Sequence, residues 1–99
     1  MENSSTILIT GVAGLIGWNF ANWLLTHTRH RVIGVDAMYD WGNHNEVHPN
    51  LRYDFYQLDL AKDSTEFERI VKENNVKYIY HFATDLLMLQ THLAGRLIK

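Results

Sequence analysis

Three glycines, at positions 11, 14 and 17, stand three residues apart in TGVAGLIG. They fall where an apolar, β-branched run, TILIT at 6–10, gives way to a pattern with helical period. Glycine in a regular element costs chain entropy relative to alanine, so three at this junction require a local reason. A continuous apolar run suits a strand covered on both faces of a parallel sheet. The pattern over 15–28 predicts a helix with Ile16, Phe20, Trp23, Leu24 and His27 on one face. On that reading Trp23 is a core residue and Trp18 is exposed.

The same alternation continues along the chain. RVIGVD, 31–36, reads as a second buried strand ending on an acid, and AMYDWGNHNEVHPN, 37–50, as a long loop. A third strand is expected at 52–60, with Tyr53, Phe55 and Gln57 on one side and Asp54, Tyr56 and Leu58 on the other. Asp63 or Ser64 then caps a helix that buries Phe67, Ile70 and Val71. VKYIYHFA, 76–83, reads as a fourth strand, and a last helix runs from Thr84 or Asp85 through Lys99, with Leu86, Leu89, Leu93 and Leu97 on one side. Strands and helices in alternation imply an α/β fold in three layers, with right-handed crossovers and a parallel sheet of about four strands.

A chain of 99 residues is one domain at most. Its net charge of -2 and the lack of a basic block give no sign of nucleic-acid binding. Cysteine is absent, which excludes disulfides and thiolate metal sites and fits a reducing, cytoplasmic setting. The opening MENSSTILIT has neither the basic region nor the apolar length of a signal peptide, and no stretch reaches the roughly 20 residues of a membrane span.

The glycines acquire a purpose in this context. Backbone N–H groups at a helix start bind phosphate well, provided no side chain holds the phosphate away. One glycine for a tight turn, one where the backbone meets a diphosphate and one where helix packs on strand is the logic of dinucleotide binding. Gly11, Gly14 and Gly17 fit these roles in order. Asp36 ends the next strand 19 residues after Gly17, near the expected spacing of about 20. A carboxylate there accepts hydrogen bonds from the adenosine ribose and repels a 2′-phosphate, which favours NAD over NADP. The expected sheet is therefore the first half of a Rossmann fold, with strand order 3-2-1-4.

At this point the chain resembles an extended short-chain dehydrogenase/reductase of the NAD-dependent epimerase/dehydratase group. The resemblance rests on TGVAGLIG (10–17), VIGVD ending at Asp36, LDL with Asp59 and Leu60, and HFAT (81–84). Leu15 stands where the group usually has Phe, and Thr84 where it usually has Ala. The segments VDAMYD and FYQLDLAKD are most similar to nucleotide-sugar members such as uronate 4-epimerases. The resemblance implies NAD as cofactor, held by Gly11, Gly14, Leu15, Ile16, Gly17, Asp36, Asp59, Leu60, Phe82 and Ala83, with the Asp59 carboxylate on the adenine amino group. In such enzymes the bound NAD takes a hydride from a sugar carbon and later returns it.

Members of the group are about three times longer and carry a catalytic YxxxK motif downstream. Here no tyrosine is followed by lysine four positions on: Tyr39, Tyr53, Tyr56, Tyr78 and Tyr80 precede Asn43, Gln57, Leu60, Phe82 and Thr84. Acid–base help worth roughly 10²–10⁴-fold is thereby missing. The expectation is an NAD-binding domain over 1–99 with a tail, 84–99, that diverges from the group, no catalytic residue, and a nucleotide-sugar substrate only if a C-terminal part is supplied. A non-catalytic nucleotide- or partner-binding module is the alternative. A frameshift, an alternative splice end and a diverged short protein all fit the tail.

Other signals carry less. His44 and His48 stand four apart but in a loop-like stretch without the HExxH pattern, so no metal site is assigned. His27 and His30 suit the carboxyl end of the first helix. His81 reads equally as a packed, hydrogen-bonded residue and as a cofactor contact. VKYIYHF is expected to be an open sheet edge, with Ile79, Tyr80 and Phe82 partly uncovered and Lys77 and His81 as its gatekeepers. Such an edge would recruit a second copy of the chain.

Overall fold

The computed structural model describes residues 4–37, 47 and 50–82, and the backbone of 97–98. Five parallel strands form one sheet in the order β3-β2-β1-β4-β5: β1 is Thr6–Thr10, β2 Arg31–Asp36, β3 Tyr53–Gln57, β4 Val76–His81 and β5 Leu97–Ile98. Helix α1, Leu15–His27, connects β1 to β2, and α2, Ser64–Glu73, connects β3 to β4. The first four strands stand in the expected order. The expected last helix does not reach Lys99, because Leu97 and Ile98 pair with Ile79 and Tyr80 as a short fifth strand. The free side of β4 offers backbone N–H and C=O groups that accept this pairing. The rest of that helix, and most of the 37–50 loop, lie outside the described residues.

Two cores lie on the two faces of the sheet. Under α2, Leu8, Ile33, Val35 and Ile79 meet Phe67, Ile70 and Val71, joined by Leu58 and Leu60. Under α1, Ile7, Ile9, Val32 and Val47 meet Ala21, Leu24 and Leu25. The alternation expected in β3 holds: Tyr53 and Phe55 pack on the α1 side, Tyr56 and Leu58 on the α2 side. Ile79, expected at a partly uncovered edge, is fully buried because α2 lies over it.

The buried face of α1 is not the one its large apolar residues suggest. Gly17, Ala21, Leu24 and Leu25 face the sheet, whereas Ile16 and Trp23 are 66% and 51% exposed. Trp18 packs on the core and Trp23 stacks outside on His27, with ring centroids 4.6 Å apart. Both tryptophan expectations are thus reversed. A helix pressed this closely on a strand puts its smallest side chains at the contact, and hydrophobic periodicity cannot see that. On α2, Asp63 holds the N-cap position without capping; its Oδ2 accepts the Asp59 N–H at 2.9 Å instead.

Polar ties close the amino-terminal edge of the sheet. Arg52 donates to the carbonyls of Leu25, Thr28 and His30 at 2.7–3.1 Å, a cation set at the carboxyl end of α1 and on the turn that follows it. His27 donates from Nδ1 to the Trp23 carbonyl, as a last-turn histidine should, but His30 instead accepts the Ser5 N–H.

Gly34 in β2 is required by space. A Cβ there would lie 2.5 Å from the Tyr53 hydroxyl and 2.8 Å from a Val12 methyl. The Tyr53 hydroxyl is itself buried and has no hydrogen-bond partner among the described residues. Burial, and then the Asp36 and Asp54 carboxylates, push this phenol above the ordinary tyrosine range. Gly34→Ala should cost about 1–3 kcal/mol from overpacking, while Tyr53→Phe should stay within about 1 kcal/mol of the parent or stabilise it. The double variant should recover part of the Gly34→Ala loss, since one of the two clashes is gone; strict additivity in urea unfolding would contradict this. A raised phenol pKa contributes stability below the unfolded value of about 10 that is lost as pH rises past it. The parent should therefore lose more stability than Tyr53→Phe between neutral pH and pH 10.5.

Candidate functional site

The expected site residues gather along the carboxyl ends of β1, β2, β3 and β4. After β1 the chain turns at Gly11, with φ of 72°, a left-handed conformation that suits glycine. The turn is tied to β2, because the Gly11 N–H donates to the Val35 carbonyl at 2.8 Å. Gly14 is the N-cap of α1 and is exposed; a Cβ there would sit 3.4 Å from the Gly11 carbonyl oxygen, an ordinary contact. Gly17 is buried, and a Cβ on it would come within 2.3 Å of the Gly11 oxygen and 2.8 Å of the Val12 Cα. The tight turn and the close helix–strand contact thus fall on Gly11 and Gly17, as the spacing suggested.

Between them the start of α1 stands open. Gly14 offers no side-chain cap, and the first turn contains no acid. The first intrahelical bond runs from the Trp18 N–H to the Gly14 carbonyl, so the N–H groups of Leu15, Ile16 and Gly17 find no acceptor among the described residues. Leu15 and Ile16 are 68% and 66% exposed. Orphan donors at the positive end of a helix dipole, beside a glycine that carries no side chain, are an arrangement that can accept an anion.

The acids flank it. Asp36 ends β2, and its Oδ2 accepts the Ala13 N–H at 3.0 Å, so this carboxylate is seated against the glycine turn. Asp59 lies just past β3, where its Oδ1 accepts the Ala61 N–H at 3.0 Å. The Leu60 side chain belongs to the core under α2, so its contribution at this edge is main chain. Phe82 follows β4, is 37% exposed, and donates its N–H to the Thr10 carbonyl at 3.1 Å. Ala83 lies outside the described residues, as do His44 and His48; among the described residues no cluster of metal ligands forms.

Three residues outside the expected cofactor-holding set help build this edge. Thr10 and His81, paired in register at the ends of β1 and β4, share a buried hydrogen bond of 2.8 Å between Oγ1 and Nδ1. His81 is 3% exposed, which makes it the packed, hydrogen-bonded histidine rather than an edge gatekeeper. The sequence signal was present, a polar residue ending each of two buried strands, but the pairing that joins them is a product of the sheet register. Ala13 is the third; its role rests on a main-chain N–H that composition does not reveal.

In strand order β3-β2-β1-β4, the direction of chain progress reverses between β1 and β4, and the glycine turn sits at that switch point. Residues 7–92 match the NAD dependent epimerase/dehydratase family. The chain belongs to this family. It is 34% identical over 82 residues to a dTDP-glucose 4,6-dehydratase of Neisseria meningitidis serogroup B, covering 80% of this chain and 23% of that protein. A UDP-glucuronate 4-epimerase of Thermodesulfobacterium geofontis is 30% identical over 83 residues, covering 77% and 25%. Among solved structures, a Bacillus anthracis dTDP-glucose 4,6-dehydratase in complex with NAD superposes with a TM-score of 0.70 at 28% identity, covering 89% of this chain and 29% of that one. This family member thus spans about a quarter of the length of the relatives it matches.

The roles of the buried Gly17 and the exposed Gly14 separate experimentally. Gly17→Ala should destabilise the fold by about 3 kcal/mol or more, since the obstruction is backbone and cannot rotate away. Gly14→Ala should leave the unfolding midpoint nearly unchanged. Equal losses in urea unfolding would refute the assignment of the close contact to Gly17.

Proposed function

We propose that the chain binds the adenosine diphosphate part of NAD along this edge, as the cofactor-binding portion of a nucleotide-sugar epimerase or dehydratase. The observation that carries the reading is the start of α1, where three main-chain donors lack acceptors beside a glycine that leaves room for a diphosphate. Gly14, Leu15, Ile16 and Gly17 would hold the diphosphate, Asp36 the ribose hydroxyls, and Asp59 and Leu60 the adenine. Family membership and the NAD-bound relative support the choice of cofactor.

When bound, NAD supplies a hydride acceptor and donor. The chain's own residues supply binding and orientation. The Asp36 carboxylate sits beside the turn and opposes a 2′-phosphate by charge. Phe82 presents a half-open aromatic surface just past β4, tied to the end of β1 by its N–H on the Thr10 carbonyl. No Tyr–Lys pair of the YxxxK type is present in the sequence, so the chain by itself binds without turnover.

Calorimetry with NAD and NADP tests the binding claim. NAD should bind more tightly, and Asp36→Ala should weaken NAD and narrow the gap. Equal affinities for the two cofactors in the parent would remove the role given to Asp36. Incubation with NAD and UDP-, GDP- and dTDP-sugars should yield no product above a protein-free control; turnover would refute the second half of the proposal.

A further inference from the structure

The opposite edge of the sheet holds a cavity of about 390 Å³, within the range that small ligands use. The start of β1 lines it with Ser4, Ser5 and Thr6, the turn into β2 with Arg29 and Arg31, and the turn into β4 with Asn75 and Lys77. The lining holds three cations, three hydroxyls and a carboxamide, and no carboxylate. In a chain of net charge -2 this is a local excess of positive charge and of hydrogen-bond donors.

Both helices end at this edge, and cations there answer the helix dipoles. That explanation accounts for some of the residues and leaves others over. Arg52 is spent on the carbonyls of Leu25, Thr28 and His30, at the end of α1 and just past it, and Arg31 on the Asn74 carboxamide at 2.7 Å and the Asp54 carboxylate at 2.6 Å. Arg29 and Lys77 donate to no helix-end carbonyl among the described residues. Neither forms an ion pair among the described residues, and Lys77 has only the Tyr78 ring, 5.6 Å away. The wall between them is rigid: the Ser5 N–H donates to His30 Nδ1, and the Ser5 carbonyl accepts the Arg31 N–H, each at 2.9 Å. Hydroxyls carried on a held main chain, with two cations that form no ion pair among the described residues, are suited to a tetrahedral oxyanion.

We infer that this cavity is a second anion site, for a phosphate or phosphomonoester group. It is separate from the glycine turn, which lies at the other end of β1, roughly 15 Å along the strand. The site needs no part of the proposed NAD site, so the two readings stand or fall independently.

Amide NMR of the whole chain, titrated with inorganic phosphate and separately with ethyl phosphate at constant ionic strength, tests the inference. Saturable shifts are expected at Ser5, Thr6, Asn75 and Lys77. Arg29→Ala/Lys77→Ala should raise the phosphate dissociation constant about tenfold, while Arg29→Lys/Lys77→Arg should hold it within about threefold. Both positions are exposed, and a thermal melt verifies that each variant is folded. Shifts confined to residues 11–17, a linear response without saturation, or an unchanged constant in the alanine pair would each overturn the site. Saturation by ethyl phosphate with the same shifts identifies a phosphomonoester as an accepted ligand; its exclusion would overturn that half of the inference and leave phosphate itself.

Discussion

The contact between Gly17 and Gly11 governs the rest of this structure. With no Cβ at position 17, α1 lies directly on the turn that leaves β1, at a separation where an added carbon would stand 2.3 Å from the Gly11 oxygen. The close approach selects the face of α1 that meets the sheet, hence Ala21, Leu24 and Leu25 inside and Ile16 and Trp23 outside. It also aims the first turn of the helix over the carboxyl end of β1. The open donors of Leu15, Ile16 and Gly17 are therefore a consequence of packing as much as of capping.

The carboxyl edge is held together by bonds between strands rather than within them. Asp36 reaches from β2 to the Ala13 N–H, the Gly11 N–H reaches back to Val35, and Thr10 is joined to β4 twice, by its hydroxyl to His81 and by its carbonyl to the Phe82 N–H. Each net contribution is about 1 kcal/mol. Their shared effect is positional, because they fix a turn that apolar packing alone would leave loose. The amino edge has its own set, in which Arg52 and Arg31 bind helix ends to strand starts. The sheet is thus clamped at both ends, with apolar cores between.

The family relation sets the scale. The chain carries the part of the fold that its relatives share up to and beyond the fourth strand, and these relatives are about four times as long. That portion contains the glycine turn, the acid after β2 and the acid after β3, all on one edge. β5 shows that the sheet extends past β4 within this chain, by two residues opposite Ile79 and Tyr80.

The sequence by itself determined the layout: apolar runs at 6–10 and 31–36, the buried stripe Phe67–Ile70–Val71 and the glycine spacing are all local patterns. Each depends on properties a residue carries with it, such as a missing Cβ, a β-branch or a charge. What only the tertiary structure decided is which groups meet. Trp18 and Trp23 exchanged places because the Gly17 contact rotates the helix toward small residues, a preference that hydropathy ranks in the wrong direction. His81 became a buried partner of Thr10 because sheet register set their strand ends side by side, 71 positions apart in the chain. The end of the chain became a strand at Leu97–Ile98 because β4 offered unpaired backbone, and backbone hydrogen bonding is common to every residue and leaves no mark on composition.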